Sequence, residues 1–373
     1  MEEKTAVVFQ LPLKLGEPPE ALGESDESRL LTDEFRRKYG EYLLSHEEYR
    51  DEVGKAVQSI RRYSGRKPDL RKDRDLIVDL LYSRDILQFR PYEYFVYRFR
   101  DRPISERLNF IQGRYQDRYN DLLNDKEGIR LLRDKYRTYL RLKEYFKRDI
   151  VMVRGRRDLL TFRRFLKTHD RFALKPNKSN SGTGFRIADG PASLPDTIRL
   201  IRENAPFVAE ELIVPCDEFK SIYPKAVNTV RFYTFLCGDG SVKPFMAFLR
   251  AGQGNMIVDN MGSGGMMCLV DADTGVICTN AVDENCREYV THPDTGFRFM
   301  GHRLPAWSEL LDITLKIGAM IPGARFIGWD CTYSKDRGWQ IVEGNGYGTL
   351  SLMQMPIHEG LKSRVESFFA ENY

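Results

Sequence analysis

Three oxygen-bearing side chains near the C-terminal end of the chain stand in apolar segments that read as strands. Asp330 lies in IGWDCTY (327–333), and Glu343 and Asn345 lie in WQIVEGNG (339–346). Residues two apart on a strand face the same side, so Glu343 and Asn345 are expected to share a face. Carboxylate and amide oxygens are the ligands that Mg²⁺ prefers in proteins. The pattern therefore predicts a magnesium site.

The alternative is that these groups only mark strand ends that face solvent. Trp329, Ile341 and Val342 surround the acids in sequence and favour a buried position. Two buried carboxylates without a cation would repel each other, which raises the pKa of one of them and costs stability. The metal site is therefore the preferred interpretation.

A second segment, FALKPNKSNSGTGF (172–185), combines a lysine with a glycine-rich loop. An apolar strand delivers Lys175, and the loop 179–184 follows it. Glycine opens backbone conformations closed to other residues, and successive N–H groups beside a lysine form a cradle for a di- or triphosphate. The lysine precedes the loop, so this is not the P-loop spacing. A flexible surface hairpin is the alternative interpretation.

Two further segments carry polar groups on apolar strands. FVAEELI (207–213) ends in acids followed by an apolar pair, a pattern that suits a linker whose backbone meets the edge of an adenine ring. VNTVRFYTF (227–235) places Asn228 and Arg231 on the polar side of its strand, and Arg250 ends the next one. The planar fork of arginine suits phosphate or carboxylate oxygens. Each segment alone is also compatible with an ordinary edge strand or salt bridge.

The elements that must position these residues change in character along the chain. Residues 29–150 keep apolar side chains at a spacing of three to four, which predicts amphipathic helices. From about residue 170, short apolar runs separated by Gly and Asp predict strands, with one helix over 304–322. The expected organisation is a helical front followed by an α+β body whose strands are largely antiparallel.

Composition limits the class of protein. The 373 residues are 42% hydrophobic and 30% charged, which is ordinary for a globular enzyme. No stretch approaches the roughly 20 apolar residues needed to span a bilayer, and the start does not resemble a signal peptide. The six cysteines lack CxxC spacing, which predicts neither a disulfide framework nor a zinc site and favours the cytoplasm.

Charge gives no indication of a nucleic-acid partner overall, since the net charge is only +4. Residues 130–167 are an exception, with fourteen Lys or Arg against four Asp or Glu. Solvated helix faces that also attract an anionic substrate explain this excess. A phosphate-rich polymer or an anionic membrane surface is the other interpretation, although no glycine-rich run is interleaved to support it.

The order of the motifs along the chain is more specific than any one of them. A strand lysine, a glycine loop, an acidic strand end, an arginine strand, an aspartate and a Glu-x-Asn pair follow one another. This order resembles the ATP-grasp superfamily, through LKPNKSNSGTGF, VAEELI, NTVRFYT, GWDCTY and IVEGNG. The segments VDNMGSGGMMCLVDADTG, THPDTGF and GHRLPAWSELL are similar to the sugar-transfer-associated ATP-grasp family, which is related to alpha-L-glutamate ligases. Members of that family tend to be encoded near polysaccharide-biosynthesis genes.

The resemblance covers about two thirds of the chain, from about residue 120 to the C-terminus. It implies an α+β ATP-grasp fold, in which two lobes with largely antiparallel sheets enclose ATP, preceded here by a helical N-terminal region. The expected divisions are a flexible lead-in (1–28), a helical region (29–120), a segment before the ATP-grasp part (121–170), a small lobe with the glycine-rich lid (171–215) and a large lobe with the metal site (216–373).

The resemblance also implies residue roles in binding ATP. Lys175 would hold the α- and β-phosphates, Arg231 would bind the γ-phosphate side, and Arg250 would stabilise a developing acyl phosphate. The lid over the β- and γ-phosphates would be Ser181, Gly182, Thr183 and Gly184. Adenine would be received by Glu210, Glu211, Leu212 and Ile213, and the ribose by Glu218. One or two Mg²⁺ ions, replaceable by Mn²⁺, would be held by Asp330, Glu343 and Asn345. The acceptor would face Asn228, Asn260, Gly264, Gly265, His292 and Arg303.

The implied activity is that of an ATP- and Mg²⁺-dependent carboxylate–amine ligase acting through an acyl phosphate. Its substrates would be a small-molecule, peptide-like or sugar-linked carboxylate and an amine acceptor. Two alternatives remain open, a kinase that phosphorylates a hydroxyl and a nucleotide-binding module without turnover. The sequence does not identify the substrates, the role of residues 1–120 or the oligomeric state.

Overall fold

The computed structural model of the chain describes residues 15–23, 26–178, 184–285 and 287–373. Its α-helices are α1 (Glu27–Leu30), α2 (Asp33–Ser45), α3 (Arg50–Ser64), α4 (Arg74–Asp85), α5 (Pro91–Val96), α6 (Ile104–Arg107), α7 (Asp117–Leu123), α8 (Lys126–Arg133), α9 (Lys135–Arg141), α10 (Lys143–Phe146), α11 (Leu159–Leu166), α12 (Leu194–Asn204), α13 (Asp217–Ile222), α14 (Trp307–Gly318), α15 (Leu350–Met353) and α16 (Lys362–Asn372).

The strands begin only after the tenth of these helices. They are β1 (Ile150–Val153), β2 (Arg171–Pro176), β3 (Arg186–Asp189), β4 (Phe207–Glu211), β5 (Thr229–Leu236), β6 (Val242–Ala251), β7 (Met266–Val270), β8 (Ala281–Asp283), β9 (Glu288–Tyr289), β10 (Phe326–Ser334) and β11 (Gly338–Asn345). The predicted order of a helical front and an α+β body is confirmed. Within the described ranges, no helix is both long and apolar enough to cross a membrane.

The chain divides into two compact units. The first contains the residues up to Tyr119 together with Thr349–Tyr373, and the second contains Asn120–Gly348. Of the residues expected in the large lobe (216–373), 216–348 lie in the second unit and 349–373 lie in the first.

The first unit is built around α4, whose residues are buried from Leu76 to Ser83. Helix α2 begins at the Thr32 cap, which accepts a hydrogen bond from the Phe35 N–H at 3.1 Å. Gly40 allows α2 to approach α4 closely, since a Cβ there would lie 2.3 Å from a methyl group of Val78. The buried carboxylate of Asp79 on α4 is paired with arginines from other helices, so α4 also anchors the polar part of this core.

The second unit contains two antiparallel sheets. The smaller sheet has the order β1-β4-β2-β3, and the larger has the order β11-β10-β5-β6-β7-β8-β9. Strand β1 lies in the segment 121–170, so the small sheet includes residues N-terminal to the expected small lobe. The antiparallel pairing that the short, punctuated strands predicted is confirmed throughout both sheets.

Each sheet of the second unit packs on its own apolar core. The large core includes residues of α8–α10 and α14 together with the inner faces of β5, β6, β10 and β11, and Trp329 and Trp339 are fully buried in it. The small core joins α11 and α12 to β1, β2 and β4 through aromatic side chains such as Phe162 and Phe207. These two cores fix the strands that carry the polar residues of the candidate site.

Candidate functional site

Three charged residues form a row across neighbouring strands of the large sheet. Asp330 on β10 lies directly opposite Glu343 on β11 and opposite Arg231 on β5. Directly opposed residues of antiparallel strands project from the same face of a sheet. The register therefore brings an acid pair and an arginine together, although Arg231 and Glu343 are 112 positions apart in the sequence (343 − 231).

A β-bulge beside Asp330 makes this row compatible with a buried core. Cys331 pairs with Ile341 while Asp330 pairs with Glu343, which leaves Val342 as an extra residue on β11. In a regular strand, side chains two residues apart lie on the same face of the sheet. The extra residue breaks this alternation, so the side chains on either side of Val342 lie on opposite faces. Ile341 consequently lies in the apolar core with Cys331, and Glu343 lies beside Asp330.

Two arginines neutralise Asp330, whose side chain is almost wholly buried. Arg231 donates from Nε to Oδ1 and from Nη2 to Oδ2, the second at 2.8 Å. Arg250 approaches the same carboxylate from β6, with Nη1 at 3.3 Å from Oδ1 and 3.2 Å from Oδ2. Such paired, charge-assisted hydrogen bonds are among the stronger polar contacts in proteins.

The pKa values of the two acids of the row are shifted in opposite directions. Burial alone would raise the pKa of Asp330, but Arg231 and Arg250 outweigh it and lower that pKa. For Glu343, burial and the nearby Asp330 charge both raise the pKa, against the attraction of Lys135 and Arg231. Burial and the charge of Asp330 therefore disfavour the ionised form of Glu343, and a further positive charge beside it would favour that form.

Asn345, the third oxygen ligand proposed from sequence, also lies close to Asp330. Its Nδ2 lies 3.5 Å from Asp330 Oδ2 and 3.3 Å from the carbonyl oxygen of Gly328. The amide nitrogen thus faces Asp330, and a half-turn of the amide would present its oxygen instead. Gly344 between the ligands is required by packing, since a Cβ there would lie 2.7 Å from the ring of Trp329.

A second charged cluster lies at the end of the small sheet. Glu210 on β4 accepts a hydrogen bond from Lys175 Nζ at 2.9 Å and another from Arg148 Nη2 at 3.1 Å. Its residue is only 4% exposed. Burial opposes ionisation of Glu210, but Lys175 and Arg148 prevail and lower its pKa. Arg148 also donates to the carbonyl oxygens of Ile341 and Val342, which links this cluster to β11.

Lys135 is a site residue that the sequence analysis did not single out. Burial lowers its pKa, the charge of Glu343 raises it, and the charge of Lys175 lowers it further. The Lys135 ammonium is therefore close enough to Glu343 and Lys175 to interact with both charges. The backbone N–H of Lys135 donates to the carbonyl oxygen of Asn177, which fixes the start of α9 beside β2. In the sequence it was one of fourteen basic residues in the segment 130–167 and carried no separate signal.

Glu211, the neighbour of Glu210, faces another set of residues. Arg337 donates to both of its oxygens, at 2.6 and 2.9 Å. Asp149 and His169 lie close enough for the three side chains to offer ligand atoms within 4.8 Å of one another. Because Arg337 occupies both Glu211 oxygens, an ion pair accounts for this cluster. Leu212 and Ile213 continue from Glu211 as half-buried residues outside the strand.

The family model described as sugar-transfer associated ATP-grasp matches residues 114–370. The chain belongs to this family. This agrees with the resemblance found from the ordered motifs, and it extends over the glycine-rich segment, both clusters and the row on the large sheet. No curated protein sequence gives a significant match.

Solved structures of ATP-grasp ligases are similar to part of the chain. The ATP-grasp ligase PsnB with a minimal precursor shares 12% identity over 67% of this chain and 64% of its own, with a TM-score of 0.42. The VanG D-Ala:D-Ser ligase from Enterococcus faecalis shares 12% over 66% and 63%, with a TM-score of 0.43. The D-alanine–D-alanine ligase from Coxiella burnetii shares 10% over 69% and 62%, with a TM-score of 0.42. The chain thus spans less than two thirds of the length of each.

The residues that the family resemblance assigned to the acceptor fall into two groups. Asn260 belongs to the site, because its Oδ1 accepts a hydrogen bond from Arg250 Nη2 at 2.8 Å. Gly264 and Gly265 follow it in the same loop, and Gly264 adopts a φ of +95° that suits glycine. The loop of residues 252–265 is therefore joined to the charged row through Arg250.

The second group makes structural contacts elsewhere. Asn228 was expected on the polar side of its strand, but it is fully buried and donates to the carbonyl oxygens of Phe219 and Tyr223. His292 is also buried, and its Nε2 lies 2.7 Å from the carbonyl oxygen of Gly252. This contact holds the start of the loop 252–265. Both side chains hydrogen-bond to backbone carbonyl oxygens of neighbouring segments.

The remaining assigned residues have other contacts. Arg303 donates to the carbonyl oxygen of Thr274 at 2.6 Å. Glu218 lies 2.8 Å from His302 Nε2 through its Oε1. Gly184 is at the end of the glycine-rich loop with a φ of +77°. Ser181, Gly182 and Thr183 lie outside the described residues.

Proposed function

We propose that the chain is an ATP- and Mg²⁺-dependent ligase that joins a carboxylate to an amine. One observation carries the proposal: the row of Glu343, Asp330 and Arg231 on the large sheet lies next to the lysines Lys135 and Lys175. Two carboxylates suit a divalent cation, and clustered lysines and arginines suit a polyphosphate. Membership of the sugar-transfer associated ATP-grasp family supports the same combination of ligands.

The donor set fits Mg²⁺, which would be held by Asp330, Glu343 and Asn345. The raised pKa of Glu343, caused by burial and by the charge of Asp330, is the strain that a dication at this place would relieve. Bound there, Mg²⁺ supplies charge neutralisation for the phosphates of ATP, through one or two ions for which Mn²⁺ can substitute. The amide of Asn345 would contribute its oxygen.

The cations of the site would bind the nucleotide phosphates. Lys175 and Lys135 would hold the α- and β-phosphates, with Glu210 and Arg148 fixing the position of Lys175. Ser181, Gly182, Thr183 and Gly184 would cover the β- and γ-phosphates. The backbone and apolar side chains of Glu210–Ile213 would receive adenine, and Glu218 the ribose.

Arg231 and Arg250 would act at the transferred phosphoryl group. A substrate carboxylate would attack the γ-phosphorus, with ADP as the leaving group. An amine would then attack the acyl carbon of the resulting acyl phosphate and displace phosphate. Negative charge accumulates on the phosphoryl oxygens in both steps, and two buried, pre-oriented guanidinium groups stabilise it. The acid would be peptide-like or sugar-linked, and the loop with Asn260, Gly264 and Gly265 would face the acceptor.

A screen of ADP release tests this proposal. Pairs of carboxylic acids and amines are incubated with ATP and Mg²⁺, and ADP is measured with each acid alone, each amine alone and both together. Release that needs both partners is the expected result. Release of ADP with a lone hydroxyl compound, together with a phosphorylated product, would instead identify a kinase.

Two conservative variants and one matched control give the screen its structural meaning. Asp330→Asn and Glu343→Gln are expected to lower ADP release by about a hundredfold or more, because metal ligation is worth several kcal/mol at the transition state. Asp283→Asn changes another buried aspartate of the large sheet, one that pairs with Tyr289 and not with the row. Full activity in both site variants would refute the assignment.

A further inference from the structure

Asp259 is a buried acid to which neither the sequence motifs nor the family resemblance assigned a role. It lies in the loop of residues 252–265, after β6, and is 5% exposed. Its Oδ1 accepts a hydrogen bond from Arg250 Nη2 at 2.6 Å. Its Oδ2 accepts one from the hydroxyl of Thr229, a residue that lies directly opposite Arg250 on β5. Both oxygens of Asp259 are therefore used to fix one arginine and its strand partner.

The guanidinium of Arg250 is shared between two acids. Nη1 faces Asp330, and Nη2 faces Asp259 and Asn260. Arg250 Nε makes no hydrogen bond within the described residues. The orientation of the Arg250 guanidinium thus depends on Asp330 at Nη1 and on Asp259 at Nη2. The contact with Asp259 is the shorter of the two.

Charge balance shows why the second acid matters. If Asp330 and Glu343 hold a dication, Arg231 and Arg250 add two further positive charges beside those two carboxylates. Like charges at such distances repel by several kcal/mol in a partly buried site. Arg250 would then lose its attraction to Asp330, and Asp259 is the anion that keeps it in place.

We propose that Asp259 is a positioning residue that holds Arg250 against the terminal phosphate of bound ATP. The inference rests on the proposed function, because it takes the row on the large sheet as the triphosphate site. Through Asp259 and Asn260, the loop of residues 252–265 is coupled to the phosphate end of the nucleotide. A change in that loop is therefore expected to alter the binding of the terminal phosphate and not the binding of adenine.

The test compares two nucleotides that differ at that phosphate. Affinities for the β,γ-imido analogue of ATP and for ADP, each with Mg²⁺, are measured by calorimetry on the full chain. Asp259→Asn keeps the shape of the side chain and removes its charge. It is expected to weaken binding of the ATP analogue about tenfold, the loss of one charge-assisted hydrogen bond, and to change ADP affinity less than about twofold.

Two further variants separate positioning from general damage. Thr229→Val removes the hydroxyl donor to Asp259 and leaves the acid, so the same selective loss is expected at about threefold. In an Arg250→Lys background, which lacks the fork, Asp259→Asn is expected to have no further effect, because coupled residues are not additive. Asp283→Asn serves as the matched control and should leave the ratio of the two affinities unchanged.

The outcomes distinguish this inference from the proposed function. If the unaltered chain binds neither nucleotide, the proposed function fails and the inference with it. If the unaltered chain binds both, but Asp259→Asn weakens them equally, weakens neither or adds fully to Arg250→Lys, only the inference is overturned. Should Asp259→Asn not fold, an unchanged affinity ratio in Thr229→Val overturns it.

Discussion

Glu210 and Glu211 are consecutive residues whose carboxylates lie in opposite environments. Glu210 is buried between Lys175 and Arg148, and Arg148 is itself buried. Glu211 pairs with Arg337, whose side chain is 44% exposed. Removing one partner of a buried ion pair leaves an uncompensated charge, whereas a pair at the surface is screened by water. The two positions therefore form an internal comparison of the same chemical change.

We expect Glu210→Gln to lower the free energy of unfolding by about 3 kcal/mol. Glu211→Gln should lower it by less than about 1 kcal/mol, because water can solvate Arg337 once its partner is neutral. Urea denaturation of the two variants and of the unaltered chain measures both values. Equal losses at the two positions would show that the Lys175–Glu210–Arg148 cluster is not a buried charge network.

The residues found from sequence are those whose type is anomalous in its surroundings. Asp330 and Glu343 stood out because they interrupt apolar strands. Lys135, Arg148 and Asp259 did not, because a lysine or arginine in a basic segment and an aspartate in a glycine-rich loop are ordinary there. Their importance arises from tertiary proximity to Glu343, Glu210 and Arg250, which single-sequence patterns do not encode. Site roles assigned on sequence alone, such as those of His292 and Arg303, remain predictions.

At the scale of elements, the strands that carry the row were predictable and their alignment was not. Periodicity and turn residues indicate the strands around Arg231, Asp330 and Glu343. The bulge at Val342, which lets Ile341 and Glu343 face opposite sides, has no signature in the printed sequence. A strict alternation of faces would place both on one side. Cross-strand register and bulges depend on partners distant in the chain, so they appear only in the structure.

Helix α5 in the first unit is capped by a buried acid with an altered pKa. Glu93 accepts hydrogen bonds from the backbone N–H groups of Arg90 at 2.6 Å and Gly113 at 2.9 Å. Burial raises the pKa of Glu93 to about 7, although these two bonds act in the opposite direction. The unfolded chain would release this proton near pH 4.5, so the folded state retains a proton that the unfolded state loses.

The stability of the first unit is therefore expected to depend on pH through Glu93. Between about pH 4.5 and 7 the folded state binds more protons, so the contribution of Glu93 falls as the pH rises and is constant above pH 7. The total decrease is about 3 kcal/mol. Unfolding free energies of the unaltered chain and of Glu93→Gln are measured across this range and subtracted, which cancels other titrations. A difference that does not change with pH would contradict the prediction.

At the scale of the whole molecule, the C-terminal segment packs in one unit with residues that lie more than 240 positions earlier. Tyr97 donates through its hydroxyl to the carbonyl oxygen of Ser351, 254 positions later, at 2.7 Å. The buried Gln354 accepts from the Ile111 N–H at 2.7 Å and donates back to the Ile111 carbonyl at 3.1 Å. A division by motif order places the C-terminal segment with the row on the large sheet. Motif order shows the sequence of elements and not which of them pack together.

Removing the C-terminal segment is therefore expected to damage the N-terminal helices and to spare the sheets. In a chain that ends at Gly348, helices α4–α6 lose buried partners for Tyr97 and Ile111, which leaves polar backbone groups unsatisfied and apolar side chains exposed. Amide hydrogen exchange should become at least tenfold faster in α4–α6, while β5, β6 and β10 in the second unit keep their protection. Gln354→Ala in the full chain provides the milder comparison and should speed exchange in the same helices alone. Unchanged protection of α4–α6 in the shortened chain would mean that residues 349–373 only lie on the first unit, and faster exchange in all strands would mean that the two units do not unfold separately.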